Sequence, residues 1–127
     1  IVYGIQYTIG EVMHMSNKDD ILKNLRQELR KGTLVIAVLS QLTTKHYGYS
    51  LVESLNQKNL EIDQNTLYPL LRRLDKTGLL DSTWEVVEPR PRKYYQLSAL
   101  GIEVVKELKE DVQYNYQVMS ELLKEVK

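Results

Sequence analysis

Two clusters of cations carry the chemistry this sequence offers. Gln64 to Lys76 holds Arg72, Arg73 and Lys76 against Asp75 alone, and Pro89 to Lys93 holds Arg90, Arg92 and Lys93 with no acid. The 127-residue chain balances 17 Lys and Arg against 17 Asp and Glu. Segregation inside a neutral chain points to a local site for an anion, not to a uniformly basic surface. Solvated surface cations are the alternative that either cluster, taken singly, leaves open. Catalysis is harder to build. The absence of cysteine removes disulfides, thiolate zinc sites, Fe–S clusters and a cysteine nucleophile. His14 and His46, the only histidines, cannot form a histidine metal cluster. Gly-rich phosphate loops, HExxH and G-x-S-x-G are all missing, so the sequence reads as a non-enzyme needing no cofactor and no metal. No apolar run approaches the ~18–20 residues of a membrane span, and the expected location is the cytoplasm.

The first cluster must be positioned by a helix. Asp63 or Asn65 supplies its cap and Gly78 its stop, while Pro69 removes an N–H and starts or distorts the regular part near Asn65. At about 100° per residue, Leu67, Leu70, Leu71 and Leu74 fall in one arc facing a core. The opposite arc holds Asn65, Pro69, Arg72 and Lys76, flanked by Tyr68 on one side and by Thr66 and Arg73 on the other; Gln64 stands at the start. This outward stripe has amide and guanidinium donors for base edges and cations for phosphates, and it has no acid. A major-groove reading helix needs that set, whereas an ordinary solvated face mixes Glu with Lys.

The second cluster sits in a turn with two prolines, between strands expected at Leu79 to Val87 and Lys93 to Leu97. Arg90, Arg92 and Lys93 there suit a wing lying along phosphates. Upstream, Ser16 with Asp19 forms a capping box for a long helix. Leu22, Leu25 and Leu29 give it a stripe, and its end is apolar from Leu34 to Leu42; Gly32 marks a bend or a close contact. Lys45 to Gly48 reads as a turn before a short helix through Leu51, Val52 and Leu55. Three helices, strand, turn and strand in this order make a mainly α chain with a small β-hairpin, the winged helix-turn-helix. Residues 1–15 read as a flexible or vector-derived extension, because His14-Met15 looks like a cloning join; a native edge strand is the other reading of their alternating Tyr3, Ile5, Tyr7 and Ile9.

Ser98 opens a last helix that nothing interrupts before Lys127. Residues 16–97 are therefore expected to form the DNA-binding domain and 98–127 a dimerisation helix. Val105, Leu108, Val112, Asn115, Met119, Leu122 and Val126 are spaced alternately three and four apart, a heptad seam with one polar member. A winged-helix body cannot cover such a length, so the seam needs a second copy, with the first helix of each subunit also packing on its partner's last. Val112, Tyr114 and Tyr116 are the candidate lining of an effector pocket between the two last helices.

These residues resemble the PadR-like family of bacterial winged-helix transcriptional regulators. The resemblance runs from Gln27 to Gly101. It is carried by Leu29-Arg30-Lys31-Gly32-Thr33-Leu34, by Tyr47-Gly48-Tyr49, and by Thr66-Leu67-Tyr68-Pro69 with Arg73-Leu74. Gly78-Leu79, Trp84, Pro91-Arg92-Lys93-Tyr94-Tyr95, Leu97-Ser98 and Gly101 complete it. It implies a homodimeric repressor on a palindromic operator in double-stranded DNA, released by a small aromatic effector, with Tyr94 and Tyr95 packing the wing on the body. Two departures stand out. Asn65 occupies a turn position where the family often has a small residue, and Val112 aligns with the last-helix Trp that multidrug-binding relatives use to sandwich flat ligands. A helical dimeric adaptor, whose basic face meets an acidic protein, is the competing class; salt-dependent binding to random duplex separates the two.

Overall fold

The computed structural model describes residues 17–87 and 89–127; the 1–15 extension and the Ser16 half of the capping box fall outside them. The elements are α1 (Lys18–Gln41), β1 (His46–Tyr47), α2 (Gly48–Gln57), α3 (Gln64–Lys76), β2 (Leu80–Val87), β3 (Arg90–Leu97) and α4 (Ala99–Leu123). The strands form an antiparallel sheet in the order β1-β3-β2. This is the expected winged helix with one addition. The turn read at Lys45 to Gly48 contains β1, which pairs His46 with Tyr95 and Tyr47 with Tyr94. A two-residue strand is too short to show a period; the open edge of β3 selects it.

The chain divides between Leu34 and Val35 into two units. In the first, the Asn17 side chain accepts the Asp19 N–H at 2.8 Å, and Asp19 and Asp20 place negative charge in the first turn of α1, where the helix dipole favours it. Leu25 and Leu29 are exposed. Gly32 neither ends the helix nor serves a close contact, since a Cβ there would meet nothing within 4 Å.

The second unit is built on leucines. α3 buries Leu67, Leu71 and Leu74, α2 buries Leu51 and Leu55, and the end of α1 contributes Val38 and Leu39, followed by Leu42. The sheet adds Leu80, Tyr95 and Leu97. Each fully buried leucine is worth about 1.5–3 kcal/mol over an exposed one, so the α3 leucine face is what holds that helix down. Its ends are specified locally. Asp63, not Asn65, is the cap, its carboxylate accepting the Thr66 N–H at 2.8 Å. At the far end Gly78 takes φ +85°, open to a residue without Cβ. The Gly78 N–H then donates to Asp75 and the Leu79 N–H to Leu74, both at 3.1 Å, which is a Schellman stop. Pro69 lies inside the helix; the carbonyl it leaves unbonded belongs to exposed Asn65, where water can take its place.

Ser98 joins the pieces. Its hydroxyl donates to the Gly78 carbonyl at 2.7 Å and accepts the Gly101 N–H at 3.0 Å, capping α4. Its own N–H donates to the Leu79 carbonyl at 3.0 Å. A Cβ on Gly101 would run into that Leu79 carbonyl. Gly101→Ala is therefore expected to destabilise the fold by about 1–3 kcal/mol, the usual cost of overpacking against atoms that cannot move aside. Urea unfolding checks this, and an unchanged midpoint would contradict it.

Candidate nucleic-acid interface

Every outward residue expected on α3 is exposed: Gln64, Asn65, Thr66, Tyr68, Arg72, Arg73 and Lys76. At about 100° per residue Asn65, Arg72 and Lys76 lie opposite Leu67, Leu71 and Leu74, with Thr66, Tyr68 and Arg73 on the flanks and Gln64 at the start of the helix. Asp75, the one acid within α3, is turned away from them. It is half-buried and accepts the Ser82 hydroxyl at 3.3 Å, with the Lys93 ammonium 3.4 Å from the same oxygen. The outward surface of α3 consequently presents cations and amides with no carboxylate among them.

The wing follows from the register of β2 on β3, which runs from Leu80 opposite Leu97 to Val87 opposite Arg90. Its three cations have different surroundings. Arg90 is exposed. The Arg92 guanidinium carbon lies over the Tyr47 ring, 4.4 Å from its centre, a contact that holds it without neutralising its charge. Lys93 is held by Asp75 and lies 5.4 Å from the Tyr95 ring centre, so it ties the wing to α3. Tyr95 is buried, and Tyr94 meets Tyr47 edge-on at 5.4 Å. Lys45 adds a second strut, reaching Glu85 on β2 and sitting 5.1 Å from the Tyr94 ring centre.

The start of α3 and the wing share a polar groove of about 470 Å³, lined by Gln64 and Tyr68, by Tyr47 to Tyr49, and by Arg90 to Lys93 with Tyr95. Arg72, Arg73 and Lys76 are not part of its lining. Gly48 makes room for α3 here, since a Cβ on it would lie 2.6 Å from the Tyr68 hydroxyl oxygen. Tyr47, Tyr49 and Lys45 had no role assigned from sequence. The Tyr-Gly-Tyr run was a visible signal, but which strand edge it served was not.

Along α4 the seam residues divide. Val105 and Leu108 are half-buried and, with Val112, Ile36 and Leu39, line an apolar cavity of about 250 Å³. Asn115 is exposed, as are Met119 at 51% and Leu122 at 53%. The helix stops at Leu123 rather than running on to Lys127, leaving Val126 beyond it. Tyr114 and Tyr116 are both exposed and outside the cavity lining; at about 100° per residue, Tyr114 points to the side opposite Val112.

Residues 35–107 match the transcriptional regulator PadR-like family. The fold also superposes on a PadR family transcriptional regulator from Eggerthella lenta with a TM-score of 0.76 and 45% identity, covering 83% of this chain and 94% of that one. The chain belongs to the PadR-like family. A PadR-like transcriptional regulator from Bacillus cereus is similar at 28% identity and TM-score 0.68, covering 76% of this chain and 96% of that one. A transcriptional regulator of Mycobacterium tuberculosis is 36% identical over 55 residues, which is 43% of this chain and 51% of that protein, so the chain matches about half its length. Among the described residues, no helix is long and apolar enough to cross a membrane.

The titratable group behind the groove of this PadR-like chain is His46. Ser50 gives its proton to the Tyr47 carbonyl at 2.9 Å. The His46 Nδ1, 3.1 Å from that hydroxyl, is therefore the donor of the pair, and Nε2 faces Thr44 at 3.3 Å. Burial, and secondarily the nearby Lys58 charge, hold its pKa below the ordinary value. An unfolded chain takes up this proton near pH 6.5 while the folded one resists. The stability His46 contributes is thus complete above about pH 7.5 and falls as pH drops through about 6.5. Denaturation midpoints compared between wild type and His46→Gln should diverge as pH falls through about 6.5. Parallel profiles would rule the histidine out.

Proposed function

We propose that this PadR-like regulator is a homodimeric repressor that binds a palindromic operator, with α3 in the major groove and the wing on the flanking phosphates. The observation that carries this is the acid-free outward face of α3, left so because Asp75 is drawn to Lys93 and Ser82. Asn65 and Arg72 are the base-reading residues, with Lys76 beside them. Gln64, Thr66, Tyr68 and Arg73 flank them, and Arg90, Arg92 and Lys93 follow the backbone. The role is regulatory, not catalytic, and belongs to the cytoplasm, where bacterial DNA is. Two reading helices on a two-fold axis would space half-sites about 10 bp apart or a multiple of a turn.

Operator DNA selected from random sequence provides the test. Asn65→Ala or Arg72→Ala should cost about 1–3 kcal/mol on the operator and little on random duplex. Arg92→Ala should weaken both alike and flatten the log–log salt dependence by about one. Equal losses on both DNAs for both sets would mean that α3 is not the reading helix. No binding to random duplex at low salt would favour the adaptor.

Dimerisation rests on α4. Its 25 residues extend about 37 Å at 1.5 Å each, and its exposed Met119 and Leu122 continue the heptad spacing past Val112. Leu122→Glu would bury an unpaired charge in the seam, at a cost of several kcal/mol. Light scattering should report a dimer for wild type and a monomer for this variant; a dimeric variant or a monomeric wild type would sink the seam. A small aromatic effector would use the cavity beside Val112, since roughly 150 Å³ of apolar space suffices for benzene.

A further inference from the structure

The wing carries an apolar surface for which phosphate binding has no use. Side chains on a strand alternate between faces, so Leu80, Ser82, Trp84 and Val86 of β2 share one face, opposite Leu97, Tyr95, Lys93 and Pro91 of β3. At the base of the hairpin this face is core, with Leu80, Tyr95 and Leu97 buried. Midway it is fastened to α3, where Asp75 takes both the Ser82 hydroxyl and the Lys93 ammonium. One step further out the cover ends: Trp84 is 69% exposed and Val86 88%. Trp84 lies directly across from Lys93. It overhangs, on the α3 side of the wing, just past the ion pair that fixes the wing to α3.

We infer that Trp84, with Val86 beside it, is a DNA-contacting ledge that packs on the deoxyribose rings and minor-groove wall of the strand passing between α3 and the wing. This rests on the operator-binding reading above and names the sugar as a further partner of that surface. The occupant follows from charge and chemistry together. Arg90 and Arg92, on the same hairpin, select a polyanion. A DNA strand alternates phosphates with apolar sugar faces, and the hairpin carries groups for both: Trp84 and Val86 on the face they share with Lys93, Arg90 and Arg92 on the other. An indole combines a large apolar area with little rotamer freedom to lose, which is why contact surfaces use it, and apolar side chains are the usual wedges of minor-groove binders. A contact made through sugars releases no counterion, so it adds affinity without adding salt dependence.

Trp84 is the single tryptophan of the chain, so its emission reports this position alone. The experiment titrates a fluorescein-labelled random duplex of roughly two turns into the full chain. It follows label anisotropy for binding and, with unlabelled duplex, the acrylamide quenching of Trp84. The expected result is that acrylamide access to Trp84 falls in step with binding. Trp84→Ala should bind about tenfold more weakly, equivalent to about 1.4 kcal/mol, at every salt concentration and with an unchanged log–log slope, and Trp84→Phe should restore most of the loss. Thermal unfolding of Trp84→Ala at the wild-type temperature shows that the loss is not one of folding. If anisotropy reports binding while Trp84 stays as open to acrylamide as before, the ledge is wrong and the operator reading survives. If Trp84→Ala changes the salt slope instead of the affinity at all salts, the contact is not to sugars and the inference fails. If anisotropy never rises at low salt, the operator reading itself falls and takes this inference with it.

Discussion

The hydroxyl of Ser98 holds α3, the wing and α4 at one point. α3 ends at Lys76 with Gly78 as its stop, β2 begins just after Leu79, β3 ends at Leu97 and α4 starts at Ala99, so four element ends converge there. A hydroxyl has one proton to give and lone pairs to accept with. Here it gives the proton to the Gly78 carbonyl and accepts the first turn of α4, while the Ser98 N–H takes the Leu79 carbonyl. Nothing larger than glycine at position 101 would let the helix begin so close beneath Leu79. The neighbouring Leu97 N–H donates to the Leu42 carbonyl at 2.8 Å, which anchors the junction to the chain following α1. α3 can therefore present a surface in a fixed relation to the wing because both leave from the same few backbone groups.

A second constraint is electrostatic. The chain is neutral, and a neutral protein gains no long-range attraction to a polyanion from its total charge. What α3 can offer is local, and it depends on where two carboxylates go. Asp63 is committed to the Thr66 N–H at the helix start and Asp75 to Lys93 and Ser82 near its end. Each acid strengthens the fold where it is used; Asp75 is also drawn off the outward face by its contacts, whereas Asp63 stays exposed at the helix start. The price is Lys93: one wing cation is engaged to remove one α3 anion, leaving Arg90 exposed and Arg92 held over Tyr47. The fold concentrates positive potential by placing its acids, not by accumulating bases.

How much of this was legible depended on the range of the interaction. The leucine period of α3, the Gly78 stop and the Ser98 start were readable because burial repeats every turn and caps act within a few residues. All the outward residues of α3 came out exposed for the same reason. The choice of Asp63 over Asn65 was not readable, because both are good caps and only the backbone geometry decides between them. β1 was hidden by its length. The link between Asp75 and Lys93, and the contact of Arg92 with Tyr47, join residues far apart in sequence, so no local pattern announces them; the wing cluster looked like three equivalent cations and is not. The end of α4 at Leu123 escaped because Lys124 to Lys127 have helix-forming composition, with no glycine or proline to mark a stop, and helix ends fray.

The heptad spacing on α4 has two different environments along its length, which bears on the effector reading proposed above. Val105 and Leu108 face Ile36 and Leu39 of the same chain, and Val112 closes the cavity they leave. Past Val112 the same spacing brings Met119 and Leu122 to the surface. The cavity thus lies where the apolar stripe passes from contact with its own chain to the surface. A ligand shifts an equilibrium only by its difference in affinity for two arrangements. Filling this space favours one setting of α4 against the end of α1, and α4 is joined through Ser98 to the stop of α3 and the root of the wing. Under the effector reading proposed above, a displacement of α4 at Val112 would be passed along the helix to the Ser98 junction, from which α3 and the wing both depart.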